Sequence, residues 1–151
     1  MRLAIASDHG GFQLKQMLVN HLKALGHDVL DLGTDSDQSV DYPHFAENLC
    51  RAVLAEKAER GILICGTGIG MAITANKFKG IYAAICTNEF MARMAREHND
   101  SNVLCLGGRV LGDDLAKSIV ETWVNTSPDH SERHARRRAQ ISMIEKTWSQ
   151  T

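Results

Sequence analysis

No run in this 151-residue chain approaches the roughly 20 consecutive apolar residues that a membrane-spanning helix needs. The N-terminal stretch MRLAIASDHGG also lacks the long apolar core and small-residue cleavage site of a secretory signal. A soluble internal protein with no membrane partner is expected. An excess of charge of one sign is missing as well: 17 Lys and Arg stand against 18 Asp and Glu. Such a surface has no global field to gather nucleic acid or anionic lipid, so any anion site must be local. The third absence is a C-x-x-C pair. The four cysteines, at 50, 65, 86 and 105, are too widely spaced for a disulfide framework or a zinc ribbon and suit reduced thiols and a cytoplasmic address.

What is present is 44% hydrophobic content, enough for one core in one domain over residues 1–151. Short aliphatic runs recur: LAIAS at 3–7, DVLDL at 28–32, GILIC at 61–65, IYAAIC at 81–86 and NVLCL at 102–106. Between them lie helical patterns at about 11–26, 43–59, 69–78, 88–98 and 112–125. Residues 34–43 form a long polar loop, and a turn at 126–131 precedes a last basic helix at about 131–148. Alternating strands and helices, with strands apolar on both faces, predict an α/β fold: five mostly parallel strands in a three-layer α/β/α arrangement.

In such a sheet the ligand crevice lies outside the carboxyl ends of the strands. The residues just past those ends are unusual here: Asp8-His9-Gly10-Gly11 after the first, Cys65-Gly66-Thr67-Gly68-Ile69-Gly70 at the third, and Gly107-Gly108-Arg109 after the fifth. A thiol at a strand end facing a helix start lies near backbone N–H groups that favour thiolate, so Cys65 can act as base or nucleophile; the plain alternative is a buried structural cysteine, the reading given to Cys50, Cys86 and Cys105. The glycines at 66, 68 and 70 can aim several N–H groups at a phosphate or a developing oxyanion, or can simply make a tight turn. The dinucleotide spacing G-x-G-x-x-G fails at Met71, an NTPase loop lacks its lysine, and a C-x5-R phosphatase loop lacks its arginine, again at Met71.

The tail RHARRR places Arg133 and Arg137 four apart, on one face if helical, where two guanidiniums suit a dianionic phosphate, whereas Arg136 and Arg138 point elsewhere. The bland reading is a solvated basic helix; no aromatic interleaving supports nucleic acid. His130 and His134 share a metal-like spacing, yet no acidic third ligand stands at a recognisable position, and no metal is expected.

Together SDHGG, the loop ending in VDYP, ICGTGIG followed by ANK, REHND, GGRV and RHxxR resemble the type B ribose-5-phosphate isomerases and their galactose-6-phosphate isomerase relatives, across essentially the whole chain. The resemblance implies a Rossmann-like aldose–ketose isomerase of the pentose phosphate pathway. It needs neither metal nor cofactor, and it interconverts ribose 5-phosphate and ribulose 5-phosphate through an enediolate. It implies Cys65 as base, Thr67 and the backbone N–H groups from Gly66 through Gly68 and Ile69 to Gly70 as oxyanion site, and His98 as the ring-opening group. Asp8, Tyr42 and Asn99 would hold sugar hydroxyls; His9, Arg109, Arg133 and Arg137 would hold phosphate, with His134 nearby. Each site would be shared between the subunits of a homodimer, sometimes paired into a tetramer. One branch of the family carries a glutamate base where this chain has Met71, which places the chain in the cysteine branch. An ordinary thiol, with a pKa of about 8.5, is mostly protonated at neutral pH, so the base role asks the loop to favour thiolate. Galactose, allose and erythrose phosphates are alternative substrates, and a non-catalytic sugar-phosphate-binding module is the alternative without chemistry. The stretch TDSDQSV at 34–40 and residues 88–91 are expected to line the pocket.

Overall fold

The computed structural model describes residues 1–148, so the end of the expected domain, 149–151, lies outside the described residues. Five strands, β1 (Arg2–Ser7), β2 (Asp28–Asp31), β3 (Arg60–Cys65), β4 (Ala83–Ile85) and β5 (Val103–Gly107), pair in the order β2-β1-β3-β5-β4. Every pairing is parallel. Six helices alternate with them: α1 (Phe12–Ala24), α2 (Tyr42–Leu54), α3 (Ile69–Ala75), α4 (Glu89–Glu97), α5 (Asp113–Asn125) and α6 (Glu132–Trp148).

The strands are apolar throughout because both faces are covered. Along β1, Leu3 and Ile5 point into a layer built from α1, α4 and α5, with the stripe Leu14, Leu18 and Leu22 and the buried Trp123. Ala4 and Ala6 point into the opposite layer, where α2 and α3 bring Leu49, Cys50, Met71 and Ala75. The three-layer α/β/α expectation is met.

The largest departures from the boundaries read in the sequence are at α2, α3 and β4. α2 and α3 stop several residues early, α2 in a turn where Glu56 takes a positive φ of 56°. β4 keeps only Ala83–Ile85 of the apolar run 81–86. It is an edge strand, and side chains replace ladder bonds at its start: Asn76 brackets Ala83 through its N–H (2.9 Å) and C=O (3.0 Å), and Asn102 Oδ1 accepts from Tyr82 N–H (2.8 Å). α6 barely joins the core: His134 is its only buried side chain among the described residues, and Ile141, Met143, Ile144 and Trp148 are exposed.

The strand order positions the site. From β1 the chain moves outward to β2 on one side, while β3 lies on the other, and the helices that follow β1 and β3 sit on opposite faces. The loops leaving β1 and β3 therefore diverge and open a crevice at the carboxyl edge.

Candidate active site

A cavity of about 450 Å³ opens at that edge, lined by Asp8, Tyr42, Cys65, Gly66, Thr67, Ile69, Gly70, Ile73 and Arg109. Three loops are laced together beneath it. Asp8 N–H donates to Ile64 C=O (3.1 Å), Gly108 N–H to Cys65 C=O (2.8 Å) and Arg109 N–H to Gly66 C=O (3.0 Å). The packing is backbone against backbone, since a Cβ on Gly108 would lie 2.5 Å from the Gly10 carbonyl oxygen. Asp8 is buried, and its Oδ1 accepts the N–H groups of Gly10 (2.9 Å) and Gly11 (3.2 Å), which starts the turn into α1. Its Oδ2 takes no protein donor among the described residues, which leaves that oxygen for a ligand hydroxyl.

Cys65 is 5% exposed at the cavity floor, and Gly68 N–H points at its Sγ from 3.1 Å, a contact that stabilises negative charge on sulfur. The reach depends on Gly68 adopting φ +82°, a left-handed conformation, where a Cβ would lie 3.0 Å from the Leu106 carbonyl carbon of β5. Thr67 Oγ1 accepts Ile69 N–H (3.3 Å), while the N–H groups of Thr67 and Gly70 have no acceptor among the described residues. Free donors beside a thiol are what an oxyanion requires. Among the other three thiols, burial pushes Cys50 up to about 12 and Cys86 up to about 11, and raises Cys105 well above the usual thiol range. They are core residues, as expected. Met71 is also fully buried, turned away from the cavity.

Arg109 flanks Gly66, its Nη1 3.4 Å from where a Cβ would stand. His9 does not line the cavity; its Nδ1 accepts Val40 N–H (3.2 Å) and tethers the polar loop. Residues 34–40 and 88–91, expected beside the pocket, do not line it within this chain. Asn88 is occupied in capping α4, accepting Met91 N–H at 2.9 Å.

The remaining expected residues gather elsewhere. α4 runs back against the strands, so His98 and Asn99, at its end and just before β5, lie at the amino edge of the sheet, whereas Cys65 pairs with Gly107 at the carboxyl edge. About 15 Å of strand separates the two levels. At the amino edge the rings of His98 and His134 stack, centroids 4.0 Å apart and planes at 11°. Arg133 Nη2 lies 3.1 Å from His134 Nε2, and Arg133 and Arg137 are both exposed. Asn99 borders a smaller cavity of about 270 Å³ together with Tyr82 and Arg138.

Sequence reasoning missed several supporting groups. Arg138 donates to the carbonyl of His98 (3.2 Å) and reaches that of Glu97 (3.5 Å), closing the end of α4. Arg96, 4% exposed, donates to Ser101 C=O (2.6 Å) and pairs with Asp100 (2.7 Å). Lys15 is fully buried, and its Nζ lies 2.6 Å from both carboxylate oxygens of Asp31, whose Oδ1 also accepts Gly33 N–H. Ile73 on the cavity wall was the most accessible to sequence reasoning, lying one helical turn beyond Ile69. Among the described residues no group of three or more His, Cys, Asp or Glu could hold a metal, and no helix is long and apolar enough to cross a membrane.

Comparison with known proteins shows the family and the fold. The family model described as Ribose/Galactose Isomerase matches residues 3–141. Ribose-5-phosphate isomerase B of Escherichia coli is 45% identical over 144 residues, 95% of this chain and 96% of that protein. The solved ribose-5-phosphate isomerase B of Clostridium thermocellum superposes with a TM-score of 0.95 at 51% identity, covering 98% and 99% of the two chains. The type B ribose 5-phosphate isomerase of Leishmania infantum gives 0.93 at 41% identity, covering 97% of each.

Proposed function

The chain belongs to the Ribose/Galactose Isomerase family, and on that premise we propose that it interconverts ribose 5-phosphate and ribulose 5-phosphate, with Cys65 as the base. The observation that carries the reading is the Cys65 sulfur on the cavity floor, taking the Gly68 N–H beside unpaired backbone donors. The Cys65 thiolate removes the C2 proton of the open-chain aldose, the electron pair moves into the C1=C2 bond, and the C1 carbonyl oxygen becomes an oxyanion. Thr67 and the loop N–H groups from Gly66 to Gly70 hold that charge. The proton on O2 passes to O1, and the thiol returns its proton to C1 as the electron pair on O2 makes C2 the carbonyl and regenerates the thiolate. Asp8, Tyr42 and Asn99 hold sugar hydroxyls, and His9, Arg109, Arg133 and Arg137 hold the phosphate.

His98 opens the furanose ring, protonating the ring oxygen as the C1 hydroxyl gives its proton to solvent. Within one chain it stands a strand's length from Cys65, so a complete site takes His98, Asn99, Arg133 and Arg137 from a second copy, and the working unit is a homodimer. The weakly packed α6 with its exposed apolar residues supports that reading. The near-balanced charge and free thiols fit a cytoplasmic enzyme.

The test is proton exchange in deuterium oxide followed by NMR. The wild-type protein is expected to wash out the C2 proton of ribose 5-phosphate. Cys65→Ala is expected to slow exchange by roughly two to four orders of magnitude while keeping affinity for inorganic phosphate. Unimpaired exchange in Cys65→Ala removes the thiol from the mechanism.

A further inference from the structure

His134 was expected near the phosphate, but the structure puts it at 3% exposure beneath the His98 ring. Its surroundings decide its protonation. A guanidinium can only donate, so the 3.1 Å contact from Arg133 Nη2 makes His134 Nε2 an acceptor and leaves the proton on Nδ1. Asp129 Oδ2 is 3.7 Å from the same nitrogen, too long for a hydrogen bond. The groups facing the ring are His98 from the end of α4, Asp129 from the loop before α6, and Arg133 and Arg137 from α6. Burial, then His98 and Arg133, hold the imidazole below its ordinary range against the opposing pull of Asp129. The backbone that carries the partner ring is fixed, since Arg138 donates to the His98 carbonyl and Asp129 N–H donates to the Glu97 carbonyl at 2.8 Å.

We infer that His134 is a positioning residue for ring opening: a neutral imidazole face that sets the plane of His98 and against which His98 takes up and releases its proton. A neutral ring beneath His98 adds no competing charge to the proton transfer. Parallel stacking also removes the rotational freedom that would cost an acid–base group its alignment. The inference rests on the reading of His98 as the ring-opening group.

The two directions of the reaction separate ring opening from proton transfer. Ribose 5-phosphate closes through O4 onto C1 and must be opened. Ribulose 5-phosphate has its O5 blocked by phosphate and stays open, so exchange of its C1 proton with solvent requires only Cys65 and the oxyanion donors. In His134→Ala, turnover of ribose 5-phosphate is expected to fall by at least roughly tenfold while C1 exchange of ribulose 5-phosphate stays within about twofold of wild type. His134→Phe, which keeps an aromatic face, is expected to recover most of the loss. Equal loss in both assays would mark a merely structural residue and overturn the inference, as would no loss in either. His98→Ala is the control. If it shows the split and His134→Ala does not, the inference alone fails; if His98→Ala shows no split, the ring-opening reading fails and takes the inference with it.

Discussion

Gly68 and Gly70 divide between them the work that the loop glycines were expected to share. Gly68 supplies the left-handed turn that brings its N–H to the Cys65 sulfur. Gly70 supplies space: a Cβ there would sit 2.6 Å from Tyr42 Cζ. Because Tyr42 is 38% exposed and its ring can swing, Gly70→Ala is expected to displace the ring rather than unfold the chain. Steady-state kinetics should show KM for the sugar phosphate rising about three- to tenfold, with the melting temperature lowered by less than about 3 °C. Gly108 is the contrasting case, because its neighbour at 2.5 Å is the Gly10 backbone, which cannot swing away.

Between α4 and β5 the chain must turn sharply while holding His98 and Asn99 in place, and Arg96 organises that connection. Its guanidinium reaches the carbonyls of Ser101 (2.6 Å) and Thr126 (3.3 Å) and the carboxylate of Asp100, which adopts a positive φ of 51°. It also lies 6.0 Å from the ring of Trp123, with Arg60 at 5.6 Å from the same ring. Truncation would leave buried carbonyls without a donor. Arg96→Ala is expected to cost about 2–3 kcal/mol, read from urea denaturation midpoints, with the half-exposed Asp100 contributing little of it. A loss below about 0.5 kcal/mol would show that water replaces the guanidinium.

For the molecule as a whole, the separation of Cys65 from His98 predicts subunit complementation. Cys65→Ala and His98→Ala enzymes are each expected to be inactive towards ribose 5-phosphate. A statistical mixture of their subunits should regain about a quarter of wild-type activity, because half the dimers carry one intact site of two. No recovery after verified subunit exchange would place both groups in one chain's site. Global stability has its own pH dependence. Cys50, Cys86 and Cys105 have pKa values raised by burial, so their contribution is complete below the ordinary thiol value of about 8.5 and is lost as pH rises. Above that pH the unfolded chain forms thiolates that the folded chain does not. Stability should fall by up to about 1.4 kcal/mol per pH unit for each thiol, until the pH reaches about 11 for Cys86 and about 12 for Cys50. Urea midpoints from about pH 8 to 10.5 measure the slope, and Cys50→Ala should reduce it.

The sequence by itself determined the fold class and which residues gather at the carboxyl-edge cavity of the candidate site. Apolar periodicity and residue order are local properties, and the residues at that edge, Asp8, Cys65 to Gly70 and Arg109, all follow strand ends that the apolar runs mark. It also assigned Cys50, Cys86 and Cys105 to the core correctly. Only the tertiary structure decided the rest. The burial of Lys15 against Asp31, the stacking of His134 on His98 and the capping of α4 by Arg138 join residues 16, 36 and 40 positions apart. No spacing rule connects such pairs, because their contact depends on where whole helices are laid against the sheet. The same reason explains why REHND and RHxxR lie away from Cys65 within one chain. Residue types disclose what chemistry is available, but which edge of the sheet receives them depends on α4 running back against the strands.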